Sequence, residues 1–209
     1  MFTKTISTET KAALALLSKS NLFKDAYLAG GTALALQLGH RLSFDLDFFT
    51  AAEFNSLETA AKLQKTTGLK IQETKAGTII GTIQSIKFSL FLYQYKLLSP
   101  SKEFLSISIA DIKDIAAMKI AAVSDRGVKR DFIDVYFICR KIRLENVLKL
   151  YNKKYGKLAS NLIHILKSLV YFKDAEEEPM PKMLKPCKWN GVKIFFEQEV
   201  KKLADKFVK

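Results

Sequence analysis

Leu28 to Phe49 reads LAGGTALALQLGHRLSFDLDFF, and this stretch decides the fold. A short apolar strand runs into the pair Gly30-Gly31, a helix follows, and a second strand over 43–49 carries Asp45 and Asp47. Residues i and i+2 of a strand project to the same face, so the two carboxylates stand together. A carboxylate pair on a strand can hold a hard divalent cation such as Mg2+, which takes oxygen ligands and commonly shares them with substrate phosphates. Gly30-Gly31-Thr32 opens the helix, and backbone N–H groups at such a turn attract phosphate. Glycine permits the close approach and any positive φ the turn needs, and Thr32 can cap the helix or hydrogen-bond a phosphate. Two surface aspartates on a strand–turn–helix would be the plain alternative. Phe44, Leu46, Phe48 and Phe49 argue against it, because carboxylates among such neighbours are costly unless they meet water, a cation or a basic partner. A phosphate cradle followed by a metal-binding carboxylate pair is what nucleotidyl transfer requires.

Working outward, the N-terminal part reads as mixed α and β. The spacing predicts a helix over 8–19 capped by Ser7 or Thr8, a strand over 26–30, a helix over 32–39, and a helix over 55–67 capped by Asn55 or Ser56 and stopped at Gly68. Strand-like runs follow over 69–75, 78–84 and 86–95, the last (IKFSLFLYQY) alternating and rich in aromatics, and a short strand covers 104–109. From Asp111 the pattern is helical to the end, broken at Gly127, near Gly156 and across the proline-rich stretch 179–186. The organisation expected is an α/β lobe over 1–110 and a helical lobe over 111–209. The apolar helix 158–172 and the last helix, with Trp189, Phe195 and Phe196, either pack on that lobe or offer anchors to a partner protein or a second copy.

The chain has 209 residues, 48% of them apolar, which suffices for a real core. No apolar run is long enough to span a membrane, and MFTKTISTETK lacks the apolar segment of a signal peptide. Cys139 and Cys187 stand far apart, so a reducing cytoplasm is expected, with no disulfide framework. His40 and His164 form no ligand cluster, and His164 reads as a packed core histidine. The net charge is +13, and residues 141–209 supply +8 of it with 16 lysines and arginines against 8 acids. Such an excess favours a polyanionic partner, nucleic acid first, although a basic solvated face is the bland reading.

A second constellation lies in 111–140, DIKDIAAMKIAAVSDRGVKRDFIDVYFICR. Lys119 and Arg126 are seven residues apart and share a helix face if the helix reaches that far. Asp131 and Asp134 share a face at i and i+3, and Arg130 can pair with Asp134 at i and i+4. The functional reading makes Lys119 and Arg126 a clamp on the triphosphate. Asp131 or Asp134 would then orient a cation, position the attacking hydroxyl or hold Lys119. Surface ion pairs on a helical hairpin are the alternative.

With these blocks in place, the chain resembles the nucleotidyltransferase-like toxins of the AbiEii/AbiGii family, which includes the mycobacterial MenT toxins. The resemblance rests on Gly30-Gly31-Thr32, on His40-Arg41-x-Ser43-x-Asp45-x-Asp47, and on Lys119, Arg126 and Arg130-Asp131-x-x-Asp134. It implies an α+β, polymerase-β-like nucleotidyltransferase fold, a small mixed sheet with helices and a C-terminal helical lobe. It also implies Mg2+- or Mn2+-dependent transfer of a nucleoside monophosphate from an NTP, with RNA, tRNA above all, as acceptor, and an antitoxin partner. Asp45 and Asp47 would be catalytic metal ligands, and Lys119 and Asp134 catalytic. Gly30, Gly31, Thr32, Arg41, Ser43, Arg126, Arg130 and Asp131 would bind substrate. Such enzymes place a third carboxylate on a later strand. Here strand 86–95 offers Ser89, Glu73 is an alternative, and Asp131 or Asp134 could fill the gap. Two rivals stay open: a binding module that has lost the chemistry, and transfer to a protein hydroxyl.

Overall fold

Ser7 accepts a hydrogen bond from the Thr10 N–H at 3.1 Å and starts helix α1 (Thr8–Lys19) where the sequence places it. The computed structural model describes residues 1–20 and 22–207 and divides into two units, Met1–Asp111 and Ile112–Lys209. Residues 208 and 209, to which the sequence reading extends its helical region, lie outside the described residues.

The first unit continues through β1 (Ala26–Leu28), α2 (Gly30–Leu38), β2 (Leu46–Thr50), α3 (Ser56–Thr67), β3 (Lys70–Lys75), β4 (Thr78–Ile83), β5 (Ile86–Leu92), β6 (Lys102–Phe104) and β7 (Ile107–Ile109). The strands form one mixed sheet in the order β3-β4-β5-β2-β1-β7-β6. The pairs β1/β7 and β2/β5 are parallel, and the others are antiparallel. Leu46, Phe48 and Thr50 of β2 are buried, while Asp47 and Phe49 are half-buried on the opposite face. Phe88 and Leu90 of β5 join the buried side, and α1 and α3 pack against β5 and against β3 and β4. Each of these large apolar side chains contributes about 2 kcal/mol by its burial. Helix α2 is buried from Thr32 to Leu38, and Gln37 ties it down by donating from Nε2 to the Ala33 and Ala110 carbonyls.

Several boundaries differ from the sequence reading. Strand β1 ends at Leu28 and α2 begins at Gly30, because Gly30, at φ +65°, makes the turn inside the first helical residue. The carboxylate strand begins at Leu46, so Asp45 stands one residue ahead of it. The strand expected over 86–95 ends at Leu92. The single strand expected over 104–109 is a hairpin of β6 and β7, turned at Leu105 and Ser106 with φ of +52° and +58°. Two adjacent positive-φ residues make the hairpin turn that Asn-Gly usually signals. Leu-Ser carries no such signal.

The second unit is helical: α4 (Ile112–Arg126), α5 (Lys129–Cys139), α6 (Leu144–Tyr155), α7 (Leu158–Ser168), α8 (Lys173–Glu176) and α9 (Trp189–Phe207). Gly127, at φ +54°, separates α4 from α5 as the sequence suggests. Phe132 is fully buried, and Phe172, Trp189 and Phe196 surround it at ring-centroid distances of 5.2, 5.9 and 5.5 Å. Phe195 packs on Tyr136 at 5.3 Å. The three aromatic anchors named from the sequence thus pack within this unit. His164 corrects another expectation: it is exposed on α7, its Nε2 3.1 Å from the Ser124 carbonyl, because the helix turns Ile165 and Leu166 inward instead. Among the described residues no helix is long and apolar enough to cross a membrane.

Two charged knots hold the helical unit. Lys154 Nζ lies 2.8 Å from Asp114 Oδ1, with both side chains fully buried, and joins α6 to α4. Lys119 Nζ lies 2.5 Å from Asp131 Oδ1 and 2.6 Å from Asp134 Oδ2, while Arg126 Nε reaches Asp131 Oδ2 at 2.8 Å, joining α4 to α5. Burial pushes the Asp131 carboxyl up, but Lys119 and Arg126 outweigh it and hold the group below the usual aspartate range.

Asp114→Ala leaves a buried ammonium without this partner and should lower stability by about 3–5 kcal/mol, read as a fall in the urea midpoint. A midpoint unchanged within error would show that the pair holds nothing together. Asp131 gives up its proton more readily in the folded chain than in the unfolded one. Its contribution is therefore complete above about pH 3.9 and is lost as pH falls through the lower folded value. Urea midpoints measured from pH 6 to pH 3 should fall at the acid end, and Asp131→Asn should flatten that fall while lowering the midpoint at pH 6.

Candidate active site

The turn from β1 into α2 is where the two halves of the opening motif meet. The Ala29 N–H donates to the Asp47 carbonyl at 2.9 Å, so the helix end is bonded to the carboxylate strand itself. A Cβ on Gly30 would lie 2.9 Å from Asp47 Oδ2, and one on Gly31 would lie 2.5 Å from Arg41 Nη2 and 3.1 Å from Ser43 Oγ. No larger residue fits either place without moving these groups. Gly30, Gly31 and Thr32 form the first turn of α2, whose N–H groups have no acceptor within the helix. Their donors and the positive end of the helix dipole therefore stand beside Asp47 and Arg41.

Thr32 plays a different part from the one expected of its side chain. It does not cap the helix, whose N-cap is Ala29. It is 1% exposed, and its hydroxyl reaches the Asp45 carbonyl at 2.5 Å and Ser43 Oγ at 3.0 Å. The hydroxyl thus pins the loop that delivers Asp45, while the Thr32 amide lies in the first turn of α2. Ser43 is held from the other side, its N–H donating to the Thr5 carbonyl at 2.9 Å. Arg41 is 4% exposed, with Nη1 donating to the Leu42 carbonyl at 3.0 Å and the guanidinium lying against Gly31. Gly30, Gly31, Thr32, Arg41, Ser43, Asp45 and Asp47 are thereby brought together.

Ser89 joins them. In the parallel pairing of β2 and β5 it stands opposite Asp47, and its hydroxyl donates to Asp47 Oδ1 at 2.6 Å. The strand expected to supply a third acid supplies a neutral donor that orients the second one. Glu73 does not replace it: it is exposed on β3, paired with Lys75 at 2.7 Å. Strands β4 and β5 separate it from β2 by about 14 Å at ordinary strand spacing. Among the described residues no group of three or more acidic, histidine or cysteine side chains could hold a metal ion. Asp45 and Asp47, half-buried beside a row of amide donors, fit a cation of the Mg2+ kind, which binds one or two carboxylates and completes its shell with phosphate and water. The sequence shows Ser89 but not its bond to Asp47, which depends on β2 and β5 being neighbours.

In the helical unit Lys119, Arg126, Asp131 and Asp134 come together as one network, and Arg130 is exposed beside it on α5. Lys119, Asp131 and Asp134 are buried, with Arg126 reaching Asp131 from an exposed position, so the network is not the set of surface pairs of the simpler reading. Lys129, not singled out from the sequence, is also buried. Its N–H donates to Glu178 Oε2 at 2.7 Å, and its ammonium meets the Glu178 and Glu176 carbonyls. Burial pushes the Cys139 thiol up to about 12, with Glu199 adding to the rise, so it is no nucleophile at neutral pH.

Comparison with known proteins gives the family and the fold. The family model described as "Nucleotidyl transferase AbiEii toxin, Type IV TA system" matches residues 12–95 and 77–201. The chain is 40% identical over 203 residues to the protein aq_aa25 of Aquifex aeolicus (strain VF5), covering 94% of this chain and 97% of that one. Among solved structures it is similar to MenT4, the nucleotidyltransferase toxin Rv2826c of Mycobacterium tuberculosis H37Rv, with a TM-score of 0.60 at 17% identity over 92% of this chain and 82% of that one. It is also similar to JHP933 of Helicobacter pylori, with a TM-score of 0.56 at 17% identity over 96% of each. These likenesses carry the polymerase-β-like nucleotidyltransferase fold, and the family match extends over most of the chain. The protein belongs to the AbiEii family of nucleotidyl transferase toxins.

Proposed function

We propose that this nucleotidyltransferase moves a nucleoside monophosphate from an NTP to an RNA acceptor, tRNA in particular, in the cytoplasm, and is paired with an antitoxin protein. The observation that carries the reading is the contact of Gly30 with Asp47, which sets phosphate-seeking amides against a carboxylate pair. Asp45 and Asp47 would hold Mg2+ or Mn2+, and the bound cation would supply Lewis-acid polarisation of the attacked phosphate. The amides of Gly30, Gly31 and Thr32 receive phosphate oxygens. Arg41 adds a fixed positive charge at that turn, and Ser43 a hydroxyl. Ser89 keeps the Asp47 carboxylate turned in one direction. An acceptor hydroxyl attacks the α-phosphate in line, and pyrophosphate leaves.

Family resemblance carries Lys119 and Asp134 into this reading as catalytic, and Arg126, Arg130 and Asp131 as substrate-binding. Their geometry supports a preorganised cation: an ammonium has three donors, and Asp131 and Asp134 take two of Lys119's. RNA as acceptor is supported by the net charge of +13, which attracts a polyphosphate backbone. The neutral Ser89 beside Asp47 favours a second reading, a module that binds nucleotide and RNA without transfer.

Purified protein incubated with Mg2+, total tRNA and each α-labelled NTP should label tRNA on a denaturing gel. Asp45→Asn and Asp47→Asn should each reduce the label by about 100- to 1000-fold or more. Asp47→Asn keeps an acceptor for Ser89, so its thermal midpoint should stay near wild type. Full transfer by either variant sinks the assignment, and no transfer by wild type moves it to the second reading or to a protein acceptor. Gly31→Ala places a methyl group where the flexible end of Arg41 now lies. Its fold should survive while KM for the NTP rises; an unchanged KM would remove Arg41 and this turn from the phosphate site.

A further inference from the structure

The carboxylates do not stand alone on their side of the sheet. Along β2 and β5 every second residue faces away from the core, so Asp47 is followed by Phe49, and Ser89 by Phe91, on one face. Phe49 and Phe91 stand opposite one another in the parallel register, and Tyr27 of β1 stands opposite Phe49. The rings form one chain: Tyr27 to Phe49 at 6.1 Å, Phe49 to Phe91 at 5.6 Å, Phe49 to Tyr93 at 5.2 Å and Tyr93 to Tyr95 at 5.1 Å. Phe49, Phe91 and Tyr93 are only half-buried, and Tyr95 is 37% exposed. The opposite face of the same strands is closed, with Leu46, Phe48, Phe88 and Leu90 buried there.

We propose that this aromatic stripe is a stacking platform for the unpaired bases of a single-stranded RNA, holding the strand beside Asp47; it rests on RNA being the acceptor. Two observations select this occupant. The stripe is continuous with the carboxylate site, since Phe49 is two residues, about 7 Å, along the strand from Asp47. Its flanks are basic: Lys87 is exposed on the same face of β5, two residues before Ser89, and exposed Lys96 follows Tyr95. Flat rings edged by cations accept bases and phosphates together, and stacking tolerates any base because each has a π face. A duplex keeps its bases stacked inward and cannot use such rings.

The test is RNA binding without NTP, so that it does not depend on catalysis. Anisotropy of an end-labelled eight-nucleotide single strand, and of a blunt duplex of the same length, is measured on the full chain. Phe49→Leu and Phe91→Leu keep an apolar side chain and remove the ring. Each should weaken single-strand binding about 10-fold, with duplex affinity and the slope of log affinity against log salt unchanged. Phe49→Trp should bind like wild type. Tyr95→Ser, at the exposed end of the stripe, should weaken binding less and serves if a phenylalanine variant fails to fold. Unchanged single-strand affinity in the ring-free variants, or equal loss for the duplex, overturns the platform. Ring-dependent binding by a wild type that transfers nothing to RNA would keep the platform and remove RNA as the acceptor.

Discussion

The close approach of a helix end to a carboxylate strand is the constraint on which the α/β unit is built. The Ala29 N–H bonds the Asp47 carbonyl, and Gly30 and Gly31 leave no room for a side chain between the helix and Asp47, Arg41 or Ser43. Helix α2 is held in place by burial along its length, with Ala33, Leu34, Ala35 and Leu36 fully buried. Thr32 then fixes the loop from below, and Ser89 fixes the carboxylate from the side. Two glycines and two hydroxyls thus position the carboxylate strand and its loop against the helix end.

Much of this was legible because local chemistry and tertiary structure agree. Gly30-Gly31-Thr32, the alternation through Leu46–Thr50, the caps at Ser7 and Asn55 and the break at Gly127 each leave a mark within a few residues. What stayed hidden depends on distant parts of the chain. The Ser89–Asp47 bond spans 42 positions and exists because β5 returns parallel to β2. The Lys154–Asp114 pair spans 40, and either residue alone reads as a solvated charge. His164 was misplaced because an apolar helix still presents one face to water. The β6–β7 turn was missed because Leu105 and Ser106 adopt positive φ without the residues that favour it.

The two units are stabilised by different physics. The α/β unit relies on apolar layers, with Phe48 and Phe88 fully buried. The helical unit adds buried charge: Lys119 lies between Asp131 and Asp134, with the exposed Arg126 closing on Asp131, and Lys154 balances Asp114. Buried pairs of this kind add little net stability over apolar residues of the same size, yet they punish the loss of a single partner. The helical unit therefore tolerates few changes on the inner faces of α4 and α5, whatever their share in the chemistry.

The position of the two aspartates relative to the strand has a consequence for how the enzyme can be lost. Asp47 lies inside the β2–β5 ladder, where a slip of one residue would turn its side chain into the core and bring Leu46 or Phe48 out. Asp45 lies one residue ahead of the ladder, in a loop that the Thr32 hydroxyl holds through the Asp45 carbonyl. The register of the sheet therefore guards Asp47 directly, and Asp45 through the loop that leads into β2.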